Sequence, residues 1–230
     1  MTAHRAIRAD AALIDIEGTI SPAAFVRETL FGYSRGRIAE YVRANGGARE
    51  VQAIVEETRA VAPGRDPIET LDEWQARDIK APPLKALQGL IWESGYDSGA
   101  FVSPIFPDAL AALRRWRAAG VRLYVYSSGS KKAQDLFFRH SEAGDIRSLF
   151  SGFFDTSVGP KTERGSYVAV GRSIGTPPDA ILFLSDSAAE LRAAESAGLQ
   201  VAQAVKEAEH AEARWLAIAD FSEIDVVPAT

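Results

Sequence analysis

The stretch LIDIEGTI, residues 13 to 20, places Asp15 and Glu17 two positions apart at the end of an apolar run, with Gly18 directly behind them. Two acids so spaced can simply close a strand as turn residues. They can instead form a reactive pair directed at a metal ion and a substrate, because carboxylates are both hard oxygen ligands and nucleophiles. Further along, Ser127 and Ser128, Lys161 and Asp186 are of types that could complete such a site. Each also has an ordinary reading. Ser127 can be a polar strand terminus, Lys161 a solvated cation, and Asp186 the cap of the helix after it. Glu190, one helical turn beyond Asp186, is either a supporting acid or a solvated helix residue. His4, His140 and His210 are scattered and read as surface or structural residues.

The elements that must carry these residues follow from hydrophobic patterning. Three short apolar runs, AALID (11 to 15), VRLYVYSSGS (121 to 130) and AILFLSDS (180 to 187), have strand length and end at small or polar residues. Their nearly continuous apolar character is that of strands buried on both faces, as in a parallel sheet. Helical patterns alternate with them. FPDALAALRRWRAAGV ends at Gly120, SKKAQDLFFRHS follows the second run, and SAAELRAAESAGL follows the third. This rhythm predicts an α/β fold, a doubly wound, mainly parallel sheet built from right-handed βαβ units. Ligands bind beyond the carboxyl ends of such strands, so the three polar strand ends converge on one edge.

Residues 22 to 103 behave differently. AAFVRETLFGYSRGRIAEYVRA reads as helix up to Gly46-Gly47, and AREVQAIVEETRAV, IETLDEWQARDIKA and LKALQGLIWESGY follow with no strand between. The expectation is an inserted all-helical cap over the strand ends, with residues 1–21 and 104–230 forming the core domain. The run from about Lys206 reads as a surface helix and a short final segment. Bulk numbers agree with an ordinary globular chain: 230 residues, 47% hydrophobic, 25% charged. A net charge of −5 gives no reason to expect nucleic acid. With no cysteine there is no disulfide, thiolate metal site or cysteine nucleophile. No apolar run approaches the roughly 18 residues of a membrane span, and MTAHRAIRAD does not open a signal peptide. A cytoplasmic protein without membrane partners is expected.

Taken in chain order, DIEGT, a serine at the second strand end, a lysine and Asp186 resemble the haloacid dehalogenase-like hydrolases. The resemblance implies that Asp15 is a nucleophile attacking phosphorus, and that Asp15 and Asp186 hold Mg²⁺, with Glu17 touching it through its backbone carbonyl. It also implies that Glu17 is the acid and base, that Ser127 binds the phosphoryl group with Ser128 beside it as a second phosphate or carbonyl contact, and that Lys161 neutralises charge on that group and on Asp15.

A narrower resemblance is to the enolase-phosphatases of methionine salvage, on DIEGTISPAAFV, YSSGS, HSEAGD, LFSGFFDT, GPK followed by SY, ILFLSD, AAESAGL and the run WQARDIKAPPLKALQGLIWESGY. It implies a monomer that converts 2,3-diketo-5-methylthiopentyl-1-phosphate, by enolisation and then phosphate release, to the acireductone 1,2-dihydroxy-3-keto-5-methylthiopentene. Phe25, Trp74, Leu87 and Trp92 could line a pocket for the methylthio tail, though such residues are more often core. The chain departs from the pattern at Ile20, Ala23 and Ala24, where hydroxyls are usual. It departs again at Ser187-Ala188 and after Ala204, where VKEAEHAEA replaces an Arg-Pro-Gly-Asn-like loop. The last departure is expected to touch a loop and not the site, whereas the first puts the substrate in question. The rival readings are a phosphatase of another small phosphorylated metabolite, a haloacid dehalogenase, and a silent scaffold on the same fold.

Overall fold

A computed structural model describes residues 5–207 and 211–229; His4 and His210 lie outside them. Along the chain come strands β1 (Arg5–Arg8) and β2 (Ala11–Ile14), then a π-helical turn, Phe25–Leu30, that runs into helix α1 (Phe31–Ser34). Helices α2 (Ile38–Asn45), α3 (Arg49–Val61), α4 (Pro67–Ala76), α5 (Pro82–Asp97) and α6 (Pro107–Ala118) follow. The remainder alternates: β3 (Arg122–Tyr126), α7 (Lys131–Arg139), β4 (Phe150–Phe154), α8 (Arg164–Ile174), β5 (Ile181–Ser185), α9 (Ala188–Ser196) and β6 (Gln200–Ala204), ending in β7 (Leu216–Ile218) and β8 (Ile224–Val227). No helix among the described residues is long and apolar enough to cross a membrane.

The chain divides into two compact units, Met1–Ala23 with Ser103–Thr230, and Ala24–Val102. In the first, six parallel strands form one sheet in the order β4-β3-β2-β5-β6-β7. The chain leaves β2 for β3 and β4 on one side, then returns to β5 on the other. The strand order therefore reverses at β2, which makes its carboxyl end the switch point where doubly wound sheets bind ligands. All four residues of β2 and all five of β5 are buried, as central strands with both faces covered must be.

The Ala24–Val102 unit has its own core, in which Ile38, Ile54, Leu71, Trp74, Leu87 and Ile91 pack together. Phe25, Trp74, Leu87 and Trp92 are all buried, and the Trp92 indole donates to the Leu30 carbonyl at 2.7 Å. The core reading of these four is the one the structure supports.

Three sequence expectations need correction. The helix read through to Gly46 is broken at Arg35–Arg37, where Arg35 turns extended (ψ 126°) and Gly36 takes a φ of 75°; only glycine enters that conformation freely. The helix expected from Lys206 is not found among the described residues, which form β7, a 3₁₀ turn (Phe221–Glu223) and β8. There Ile224 and Val226 are buried and Asp225 and Val227 less so, the two-residue period of a strand. Strands β1, β4 and β6 were also missed. FSGFF is short and split by a glycine, and the QVAQA of β6 carries two glutamines. Gln203 is nonetheless buried, because its amide donates to the Asp186 carbonyl and accepts from the Glu212 N–H.

Candidate active site

Asp15 is the first residue beyond β2. Its N–H donates to the Leu184 carbonyl of β5 at 2.9 Å, so the sheet ladder fixes its backbone, and its side chain is buried. The chain then turns hard. The Gly18 N–H meets the Ser21 carbonyl at 2.8 Å, and the Ile20 and Ser21 N–H groups both donate to the Ile16 carbonyl. Gly18 has a φ of 68°, and a Cβ there would stand 2.3 Å from Asp186 Oδ2. The glycine is needed twice over, for the left-handed turn and for the approach of that carboxylate. Thr19 completes the joint by accepting the Asp186 N–H at 3.1 Å. Thr19 had no role in the sequence reading, and its only signal was its place in DIEGT. Asp186 does not cap α9; Ser187 holds that position.

Lys161 reaches the same place from the loop before α8. Its ammonium is 2.6 Å from Asp15 Oδ1 and 2.7 Å from Glu190 Oε2, and all three side chains are largely shielded from water. Glu190 is thus a member of the cluster and not a solvated helix residue. Ser185 Oγ lies between the two carboxylates, 3.3 Å from Asp15 Oδ2 and 3.1 Å from Glu190 Oε2. The lysine's backbone is tied down by hydroxyls. Tyr167 donates to the Lys161 carbonyl, Ser166 to that of Pro160 and Tyr126 to that of Gly159. Ser166 and Tyr167 are the SY that follows GPK.

The electrostatics follow from burial. Desolvation works to lower the Lys161 pKa, but the Asp15 and Glu190 carboxylates outweigh it and the amine is held above its usual value. Burial raises Glu190 to about 7, with the Asp15 charge adding to it and Lys161 opposing. Burial likewise raises Asp186 to about 6, again with Asp15 adding. One ammonium therefore does not balance the acids gathered here.

Ser127 stands two residues past Val125, the β3 partner of Ile14. Its N–H donates to the Phe154 carbonyl and its Oγ accepts the Gly129 N–H at 3.2 Å, which leaves the hydroxyl hydrogen to give. Ser128 is exposed on the same loop, and Glu17 is half-buried on the turn, its backbone bridged to Ser21. The structure thus joins Asp15, Lys161, Glu190 and Ser185 directly, ties Asp186 to the Gly18-Thr19 turn, and sets the serines at the end of the neighbouring strand.

Among the described residues no three acids or histidines form a ready-made ligand cluster. Mg²⁺ does not require one, since it is held by one or two carboxylates and keeps waters. Asp186, whose ionisation the Asp15 charge opposes and which is pressed against a Cβ-less residue, fits such a cation.

The loop that replaces the expected Arg-Pro-Gly-Asn-like segment reaches further than its sequence suggested. Glu207 accepts the Ala23 N–H at 2.9 Å, and its charge contributes to the raised pKa of Asp186. The two departures, at Ala23 and after Ala204, are in contact. Ile20 is fully buried, with its carbonyl taken by the Phe106 N–H.

A model of the haloacid dehalogenase-like hydrolases matches residues 9–198. The enolase-phosphatase E1 of Bradyrhizobium sp. (strain BTAi1) is 50% identical over 218 residues, 95% of each chain. That of Aquifex aeolicus is 44% identical, over 94% of this chain and 99% of the relative. The crystal structure of the UTR4 protein of Saccharomyces cerevisiae matches with a TM-score of 0.77 at 32% identity, covering 93% of this chain and 99% of that one. At 21% identity, CbbY of Rhodobacter sphaeroides (TM-score 0.60, 94% of this chain and 96% of that one) shares the fold. With its DIEGT turn, buried lysine and switch-point site, this chain belongs to the haloacid dehalogenase-like hydrolases and, within them, to the enolase-phosphatase E1 family.

Proposed function

We propose that the protein is a Mg²⁺-dependent enolase-phosphatase of methionine salvage. Its substrate would be 2,3-diketo-5-methylthiopentyl-1-phosphate, and its products the acireductone 1,2-dihydroxy-3-keto-5-methylthiopentene and phosphate. The observation that carries the reading is the Asp15 carboxylate at the sheet's switch point, gripped by the buried Lys161 at 2.6 Å. In the phosphatase half-reaction an Asp15 oxygen attacks phosphorus and the bond from phosphorus to the substrate oxygen breaks. Glu17 gives that oxygen its proton. Glu17 then takes a proton from water, whose oxygen attacks phosphorus and releases Asp15. Lys161 and Ser127, with Ser128, bear on the phosphoryl oxygens. Asp15, Asp186 and the Glu17 carbonyl would hold Mg²⁺, which offsets phosphoryl charge and polarises the carbonyl that enolises. Glu17 reaches further than aspartate would, which suits a residue that must also move a proton on carbon. The same reading makes the protein a cytoplasmic monomer whose partner is a small phosphorylated molecule.

A second reading, a phosphatase of another small phosphorylated metabolite, is favoured by one observation: the substituted segment at Ala23 is bonded to the substituted loop at Glu207. One experiment separates the two. The purified protein is incubated with Mg²⁺ and the diketo phosphate, then with a panel of simple phosphate esters, while the enol chromophore and free phosphate are followed separately. Transient enol ahead of phosphate supports the first reading. Phosphate released from the panel but not from the diketo substrate rejects it. A Glu17→Asp variant that kept both steps at full rate would remove the argument from side-chain length.

A further inference from the structure

We infer that Gln134 is a positioning residue for the phosphate-binding loop: its buried amide pins the segment Ser127–Gly129 to the end of β4 and so aims the Ser127 hydroxyl. This rests on the phosphatase reading above. Gln134 lies in the first turns of α7 and is 1% exposed. Its Nε2 donates to the Gly129 carbonyl at 2.8 Å and to the Phe154 carbonyl at 2.9 Å. The Phe154 carbonyl also accepts the Ser127 N–H, and Ser127 Oγ accepts the Gly129 N–H. The amide thus closes a ring of contacts around the Ser127 hydroxyl, which bears on the phosphoryl group.

Its other atom sharpens the point. Gln134 Oε1 is shut away from solvent with no hydrogen-bond partner. An unsatisfied buried carbonyl is costly, and methionine or leucine would fill the space without that cost. What only the amide supplies is two N–H donors directed at two carbonyl oxygens, groups that can accept and never donate. Loss of those donors frees Gly129 and with it the acceptor contact that orients Ser127.

The test uses Gln134→Met, which keeps the bulk without donors, and Gln134→Glu, which sets oxygen against two carbonyls. The readouts are kcat/KM for a phosphate ester the wild type hydrolyses, inhibition by inorganic phosphate, thermal melting, and hydrogen exchange of residues 127–129. Both variants should lose about tenfold or more in kcat/KM and in phosphate affinity together. Glu should be worse than Met, and exchange at 127–129 should be faster in each. Should either variant fail to fold, Gln134→Asn, which keeps the amide and draws it back by one methylene from both carbonyls, gives the same comparison. A lowered melting temperature with wild-type kcat/KM and phosphate affinity would show a merely structural residue and overturn the inference, as would unchanged exchange at 127–129. A wild type that hydrolyses no phosphate ester with Mg²⁺ would overturn the phosphatase reading and the catalytic purpose of the loop with it. Hydrogen exchange would still report separately whether the amide pins that loop.

Discussion

The ammonium of Lys161 lies 2.6 Å from Asp15 Oδ1, although 146 residues separate the two in the chain, and it lies 2.7 Å from Glu190 Oε2. A buried cation between two carboxylates holds the orientation of the Asp15 side chain without neutralising the site.

Removing that cation leaves two buried acids facing each other. Lys161→Met should destabilise the fold by about 3–5 kcal/mol, the usual cost of breaking a buried pair from one side, and should abolish phosphate release. Adding Glu190→Gln should recover part of the melting temperature and none of the activity. A single variant that melts like the wild type would show that the pair is not held as described.

Stability should depend on pH in a direction set by Asp186 and Glu190. Each acid has a folded pKa above its ordinary value, 3.8 raised to about 6 for Asp186 and 4.5 raised to about 7 for Glu190. The folded state therefore binds their protons more tightly than the unfolded chain does. Stability is lost as pH rises from about 4 through 7. Melting curves in chelator should fall over this window, and Mg²⁺ should restore stability increasingly as pH rises. Equal melting temperatures at pH 5 and pH 8 without metal would contradict the assignment.

Gly18→Ala should damage the site in two ways. A non-glycine residue at a φ of 68° costs roughly 1–2 kcal/mol, and its Cβ would drive Asp186 away. Gly64, at a φ of 79° with nothing near its missing Cβ, is the control. Gly64→Ala should cost similar stability and leave Mg²⁺ binding by calorimetry unchanged, while Gly18→Ala weakens it. Equal Mg²⁺ affinity in both variants would separate Asp186 from the metal.

The sheet's inner strands were legible in the sequence because β2 and β5 are buried along their whole length and so carry apolar runs, and β3 is apolar or aromatic at every position after Arg122. The outer elements were not, since β6 mixes glutamines with alanines and β8 alternates within a charged tail. Types at fixed places, Asp15, Ser127, Lys161 and Asp186, could be picked out from order and resemblance. The residues that hold them could not. Thr19 acts through the Asp186 backbone N–H, Ser185 through one carboxylate 170 residues away and another five residues on, and Tyr167 through a carbonyl. Glu190 stood undecided because one turn beyond an acid is equally a solvated position. Its burial against Lys161 depends on how α9 packs, which local pattern does not encode. The reach of Glu207 to Ala23 spans 184 residues and had no signal at all.

The central claim is that Asp15 is phosphorylated during turnover. The protein, with Mg²⁺ and the diketo phosphate, is quenched in acid during steady state and reduced with borohydride, and the peptide carrying residue 15 is read by mass spectrometry. An acyl phosphate at Asp15 is reduced to homoserine at that position, which is the predicted result, and its yield should vanish when substrate is withheld. Unmodified Asp15 in enzyme that is releasing phosphate at its full rate, with reduction at another carboxylate or at none, would contradict the account.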